Sequence, residues 1–228
     1  MKAALLFVLA ACAARGDTLG AMKSRLVLGL PVDKGMQEAY RGEVAINGVP
    51  ARLFIYRWDG GFGRLSADAA GMGWKRKADL GTAFAGPEGE IRASLWGRNG
   101  KVLLFALPRG KTGWVAMALF RDMPRFGERG ADAPGRDPAG FPRTGAALRI
   151  LHVAGPGYEA ACYRSPAPPS AVLADARRLL SALGWKADIL AGSAVTASAR
   201  GRPVLTVHAR PDGRGSNYLV LATEEPER

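Results

Sequence analysis

The sequence predicts an α+β fold of two tandem small modules. Each is one helix packed on an antiparallel sheet, in the order β-hairpin or strand, helix, three strands. Three observations predict this. Apolar residues make up 48% of the 228, enough to build a core. The same landmarks recur in the same order in both halves, which marks an internal repeat. Apolar residues at steps of three and four in the second half mark an amphipathic helix. The boundaries that follow are an N-terminal leader at 1–12, a segment at 13–42, module one at 43–120, a linker at 121–148 and module two at 149–228.

The chain opens with Met1-Lys2, then an uninterrupted apolar run to Ala11, then Cys12-Ala13-Ala14-Arg15. A cation, an apolar stretch and small residues are the layout of a secretory signal peptide. The run falls short of the roughly 20 apolar residues that span a bilayer. Leu9-Ala10-Ala11-Cys12 resembles the lipobox of bacterial lipoproteins, with fewer residues before the Cys than the class usually has. The resemblance implies an acylated Cys12 as the mature N-terminus, and a protein anchored to the membrane by lipid and facing the periplasm. Each acyl chain adds about 0.8 kcal/mol per buried CH2, so several on one residue anchor stably. Ala13, where an Asp is absent, points to the outer membrane by the same resemblance. Cleavage after Ala13 instead gives a soluble periplasmic protein.

In module one, residues 44–57 read strand, Gly/Pro turn, strand, ending Tyr56-Arg57; residues 150–164 repeat this, ending Tyr163-Arg164. Gly73-Trp74-Lys75 matches Gly184-Trp185-Lys186, and the strand 102–108 matches 204–211. In module two, Ser170 is expected to cap a helix with Val172, Leu173, Ala176, Leu179, Leu180 and Leu183 on one face. Gly184 suits the left-handed residue that ends it, and Trp185 folds back onto the last turn. A shorter helix near 66–72 stops the same way at Gly73-Trp74. Asn99-Gly100 and Asp212-Gly213 favour tight hairpins. Strands 102–107 and 114–120 are apolar on both sides, which implies burial on both faces or an exposed apolar face for a partner protein. Residues 121–148, with Pro124, Pro134, Pro138 and Pro142, read as a linker or an irregular strap.

The net charge is +12, and 24 of the 32 basic residues are Arg. Such a balance suits anionic partners. With no block of five or six consecutive basic residues, nucleic acid is not the expected one. The chemistry-bearing residues are few. There is no Walker loop, no His-Glu-x-x-His, no Cys-x-x-Cys and no Gly-x-Ser-x-Gly. The two histidines, His152 and His208, read as strand residues, Cys162 as a buried thiol, and Glu88/Glu90 and Glu224/Glu225 as solvated pairs. No cofactor and no metal are called for. One aromatic-basic group, Arg57, Trp58, Trp96 and Arg98, stands beside Gly-rich turns and could stack on a sugar and pair with a phosphate or carboxylate.

The expectation is therefore an exported bacterial envelope lipoprotein that binds or scaffolds without catalysis. It meets an envelope protein through sheet edges or the apolar face of module one. The alternative is a binder of an anionic glycan or lipid through Arg57, Arg98 and the two tryptophans.

Overall fold

The structure is a computed structural model that describes residues 24–86, 89–108, 113–125, 131–190, 194–213 and 215–224. It overturns the expected pair of separate helix-on-sheet modules. The chain is mostly strand, in a single twelve-stranded antiparallel sheet ordered β3-β4-β5-β6-β2-β1-β7-β8-β12-β11-β10-β9. The strands are β1 (Gln37–Ile46), β2 (Val49–Arg57), β3 (Lys75–Gly86), β4 (Gly89–Arg98), β5 (Lys101–Pro108) and β6 (Val115–Phe120), then β7 (Leu148–Gly155), β8 (Tyr158–Ser165), β9 (Lys186–Leu190), β10 (Ala194–Ser198), β11 (Val204–Asp212) and β12 (Gly215–Thr223). Helix α1 (Phe62–Gly71) follows β2, and α2 (Pro169–Ala182) follows β8. Four strands follow each helix, where three were expected. The extra ones, β3 and β9, are the two edges of the sheet. An edge strand buries little, so its sequence carries little apolar alternation: in β9 only Ala187 is buried.

The described residues divide into two compact units, one within 24–44 and 49–123, the other within 45–48 and 124–224. In the first, α1 ends as its sequence implies: Gly73 takes φ +81° and the Trp74 N–H bonds to the Ala69 carbonyl at 3.0 Å. The helix starts earlier than expected and has no side-chain cap. Asn99 and Gly100, both at positive φ, make the tight turn between β4 and β5. Leu65 and Ala69 of α1 pack on Phe54, Tyr56, Phe105 and Met117, and Leu30, Val32 and Met36 extend that core. The opposite face of the same strands, with Leu53, Ile55, Leu104 and Ala118, is buried as well. Continuous apolar runs are what strands buried on both faces require. The apolar face expected to receive a partner is therefore not a free surface.

In the second unit, α2 buries Val172, Leu173, Ala176 and Leu180, the valine and leucines contributing about 1.5–3 kcal/mol each and the alanine less. Leu179 is half-buried and Leu183 is exposed, so the apolar stripe is narrower than its sequence reads. Ser170 is not the cap: the helix begins at Pro169, with Pro168 at the cap position and no side-chain bond. A proline at the first helical position has φ preset and no N–H to satisfy. Gly184 (φ +81°) ends α2, and the Trp185 N–H returns to Leu180 O at 3.0 Å. Helix α2 lies over β9 to β12. The β7–β8 side of that face is covered by the segment read as a linker. Its residues 131–148 form a strap, with Ala133, Phe141 and Ala147 buried. Phe141 sits 6.4 Å from both Tyr163 and Tyr218, which stack at 4.8 Å.

Candidate functional site

The four residues of the expected ligand group do not form an open site. Trp58 and Trp96 share the first unit's core, each about 5% exposed. Trp96 stacks on Phe105 at 5.5 Å and donates its indole N–H to Ser94 Oγ at 2.7 Å. A ring held this way offers no face to a sugar. Arg57 is exposed at the end of β2, and Arg98 is half-exposed, its guanidinium against Gly29. Cys12 and the leader lie outside the described residues, as do Glu88 and Glu225. Cys162 is buried, and burial pushes its thiol up to about 12. His208 is half-buried, and burial together with Arg210 holds its imidazole below the usual value.

The densest polar cluster lies where the strap meets β7 and β8. Residues directly opposite in an antiparallel pair share a face. Arg149 is opposite Tyr163 and His152 opposite Ala161, so both point to the side that α2 covers further along. Arg149 is only 5% exposed. Its guanidinium donates to Ala133 O (3.0 and 2.9 Å), Gly135 O (2.7 Å) and Asp137 Oδ1 (2.8 Å). Asp137 also accepts from Arg143 Nε at 2.9 Å and from the Tyr163 hydroxyl at 2.8 Å. Arg143 reaches on to Asp132, which accepts the Arg149 backbone N–H at 2.8 Å. Burial alone would raise the Asp132 carboxyl, but these bonds outweigh it and hold it below the usual range. Burial and the bond to Asp137 push the Tyr163 phenol well up.

A second knot adjoins the first. His152 Nε2 lies 2.9 Å from Glu159 Oε1, both side chains nearly buried. Glu159 also accepts from Arg136 Nε at 2.6 Å and from the Ala139 N–H at 3.3 Å. Burial would raise this carboxyl too. Arg136, His152 and Ala139 together hold it low. That bond helps fix Ala139 at φ +48°, uncommon for a residue with a Cβ. Asn47 donates its backbone N–H to the His152 carbonyl and accepts the His152 N–H on its side-chain Oδ1, each at 2.8 Å. With its Nε2 on Glu159, His152 leaves Nδ1 with no partner among the described residues.

Three arginines and three carboxylates thus neutralise one another across the strap. The signal for this was in the sequence: Arg149 and Glu159 stand at inward strand positions, and Asp132, Arg136, Asp137 and Arg143 alternate in sign along the segment that lies over them. The arrangement fastens chain to chain. His152 meets a carboxylate, not a serine, and lies sealed under Gly135, where an added Cβ would stand 2.6 Å from its ring. Among the described residues no group of three His, Cys, Asp or Glu is placed to hold a metal ion, and no helix is long and apolar enough to cross a membrane. No family model matches the chain, and no curated protein or solved structure matches it.

Proposed function

We propose that the protein is an exported bacterial lipoprotein of the cell envelope, anchored through Cys12, that scaffolds or binds another protein without catalysis. The observation that carries the non-catalytic part is the strap network. Among the described residues, the buried charged groups Arg149 and Glu159 are each held by several partners that fasten the fold together. A catalytic acid or base needs a free position for substrate, and most of theirs are taken up by the strap. The address rests on the apolar run ending Leu9-Ala10-Ala11-Cys12. Among the described residues, the outer strands β3 and β9 are left without a neighbouring strand on one side. The anionic-ligand alternative retains its net charge of +12 but has its tryptophans in the core.

The test is the intact mass of the chain extracted from membranes, beside a Cys12→Ala variant. A mature chain starting at Cys12, with mass added by acyl groups and lost with the variant, is the expected result. An uncleaved, unmodified chain in the cytosol overturns the proposal. Co-purification that survives moderate salt supports a protein partner, whereas binding that collapses with ionic strength favours an anionic ligand.

A further inference from the structure

We infer that the free edge of β9 pairs with the same edge of a second copy of this chain. The inference deepens the scaffold reading by naming the partner of one edge, and it does not depend on where the protein resides.

The two edges of the sheet differ. β3 meets β4 with three register shifts and opens with Lys75-Arg76-Lys77. Bulges and like charges are how proteins keep an edge from pairing. β9 has neither. Its five residues pair with β10 in unbroken register, Lys186 with Ser198 through Leu190 with Ala194. Its other side has no strand among the described residues. Three large exposed apolar side chains fall at 183–190: Leu183 (51% exposed), Ile189 (46%) and Leu190 (36%). A regular edge with apolar side chains in the open is a template for another strand.

Charge selects the occupant. Two antiparallel copies of β9 related by a two-fold axis at Ala187 place Lys186 of each directly opposite Asp188 of the other. Both side chains are exposed and lie on the same face of the strand. Directly opposed unlike charges stabilise an antiparallel pair, and like charges destabilise it. A two-fold axis at Lys186 or Asp188 sets like on like, and one at Ile189 leaves both charges without an opposite. The strand's charges therefore complement themselves in one register, which sets residues 186–188 of the two copies opposite one another, with Ile189 and Leu190 flanking the paired stretch.

The test uses the full chain in mild detergent, with mass measured by density-matched sedimentation equilibrium. The wild type is expected as a dimer. Asp188→Lys alone and Lys186→Asp alone each set like charges opposite one another, and each is expected to halve the mass. An equimolar mixture of the two restores both unlike pairs and is expected to return to dimer. Lys75→Asp, on the other edge, leaves the dimer intact. Circular dichroism and protection of the Cys162 thiol confirm that each variant is folded. A wild type that is monomeric at every loading concentration overturns the inference. So do folded single variants that remain dimeric, and folded variants whose mixture stays monomeric. A monomer that still carries acyl groups on Cys12 removes this inference and leaves the envelope reading standing; a dimer found unmodified in the cytosol does the reverse.

Discussion

Arg149→Met is the sharpest test of the strap network. Methionine keeps much of the side chain's length and apolar stem, and removes the charge and its donors. Asp137 is not orphaned by the change, because Arg143 and Tyr163 still donate to it. The loss falls on the carbonyls of Ala133 and Gly135, which have no other donor among the described residues and face the charged guanidinium at 2.7–3.0 Å. A hydrogen bond to a charged group contributes about 1.5–3 kcal/mol. Two such losses give about 3–6 kcal/mol, overlapping the roughly 3–5 kcal/mol lost when one partner of a buried ion pair is removed. The second unit should then melt on the order of 15 °C lower. Urea unfolding measures the free energy, and hydrogen exchange over 131–155 locates it in the strap. Arg149→Lys, which keeps the charge but not the forked geometry, should fall between. An Arg149→Met protein within about 1 kcal/mol of wild type, with unchanged exchange in the strap, would refute the reasoning.

Three further outcomes are expected. The Asp132 and Glu159 carboxyls are held low in the fold, so their contribution is fully present above the unfolded carboxylate values of about 4 and is lost as pH falls through the lower folded values; urea midpoints at successive pH values should drop below about pH 4, and Glu159→Gln should flatten that drop. Gly135→Ala puts a Cβ at φ +123° and 2.6 Å from the His152 ring, whereas Gly48→Ala, at φ +77°, meets nothing within 4 Å. Both should lose about 1–3 kcal/mol for the backbone, with Gly135→Ala losing measurably more in denaturant titration. The Cys162 thiol, raised to about 12 by burial, should resist alkylation at pH 8 in the folded protein and react fully in urea, read by intact mass.

The legible parts of the fold were those where local chemistry and burial agree. The helix stops at Gly73-Trp74 and Gly184-Trp185 were readable because a positive φ calls for glycine and the following indole needs a core to enter. The Asn99-Gly100 hairpin was readable for the same local reason. Strands β3 and β9 were not. Lys75-Arg76-Lys77 and Lys186-Ala187-Asp188 carry the polar pattern of an edge, which resembles a loop until the neighbouring strand is known. The single sheet was equally hidden. Its β1–β7 pairing rests on Ala45 with Ala154 and Ile46 with Val153, two ordinary apolar pairs whose long-range partnership no local pattern announces.

The candidate site failed to show for a different reason. Tryptophans beside glycine-rich turns read as exposed because turns usually are, yet Trp58 and Trp96 point back into the core between α1 and the sheet. Conversely, a stretch with four prolines and little apolar period reads as a linker, because a covering layer is normally recognised by its apolar residues. Residues 131–148 cover β7 and β8 mainly by ion pairs and hydrogen bonds: Asp137 to Arg149, Arg136 to Glu159, and the Ala133 and Gly135 carbonyls to one guanidinium. Charges at inward strand positions cost several kcal/mol each unless matched. Arg149 and Glu159, read as inward by their parity with Tyr163 and Ala161, thus oblige some other segment to supply a carboxylate and a guanidinium. In this chain the segment that supplies both is the strap.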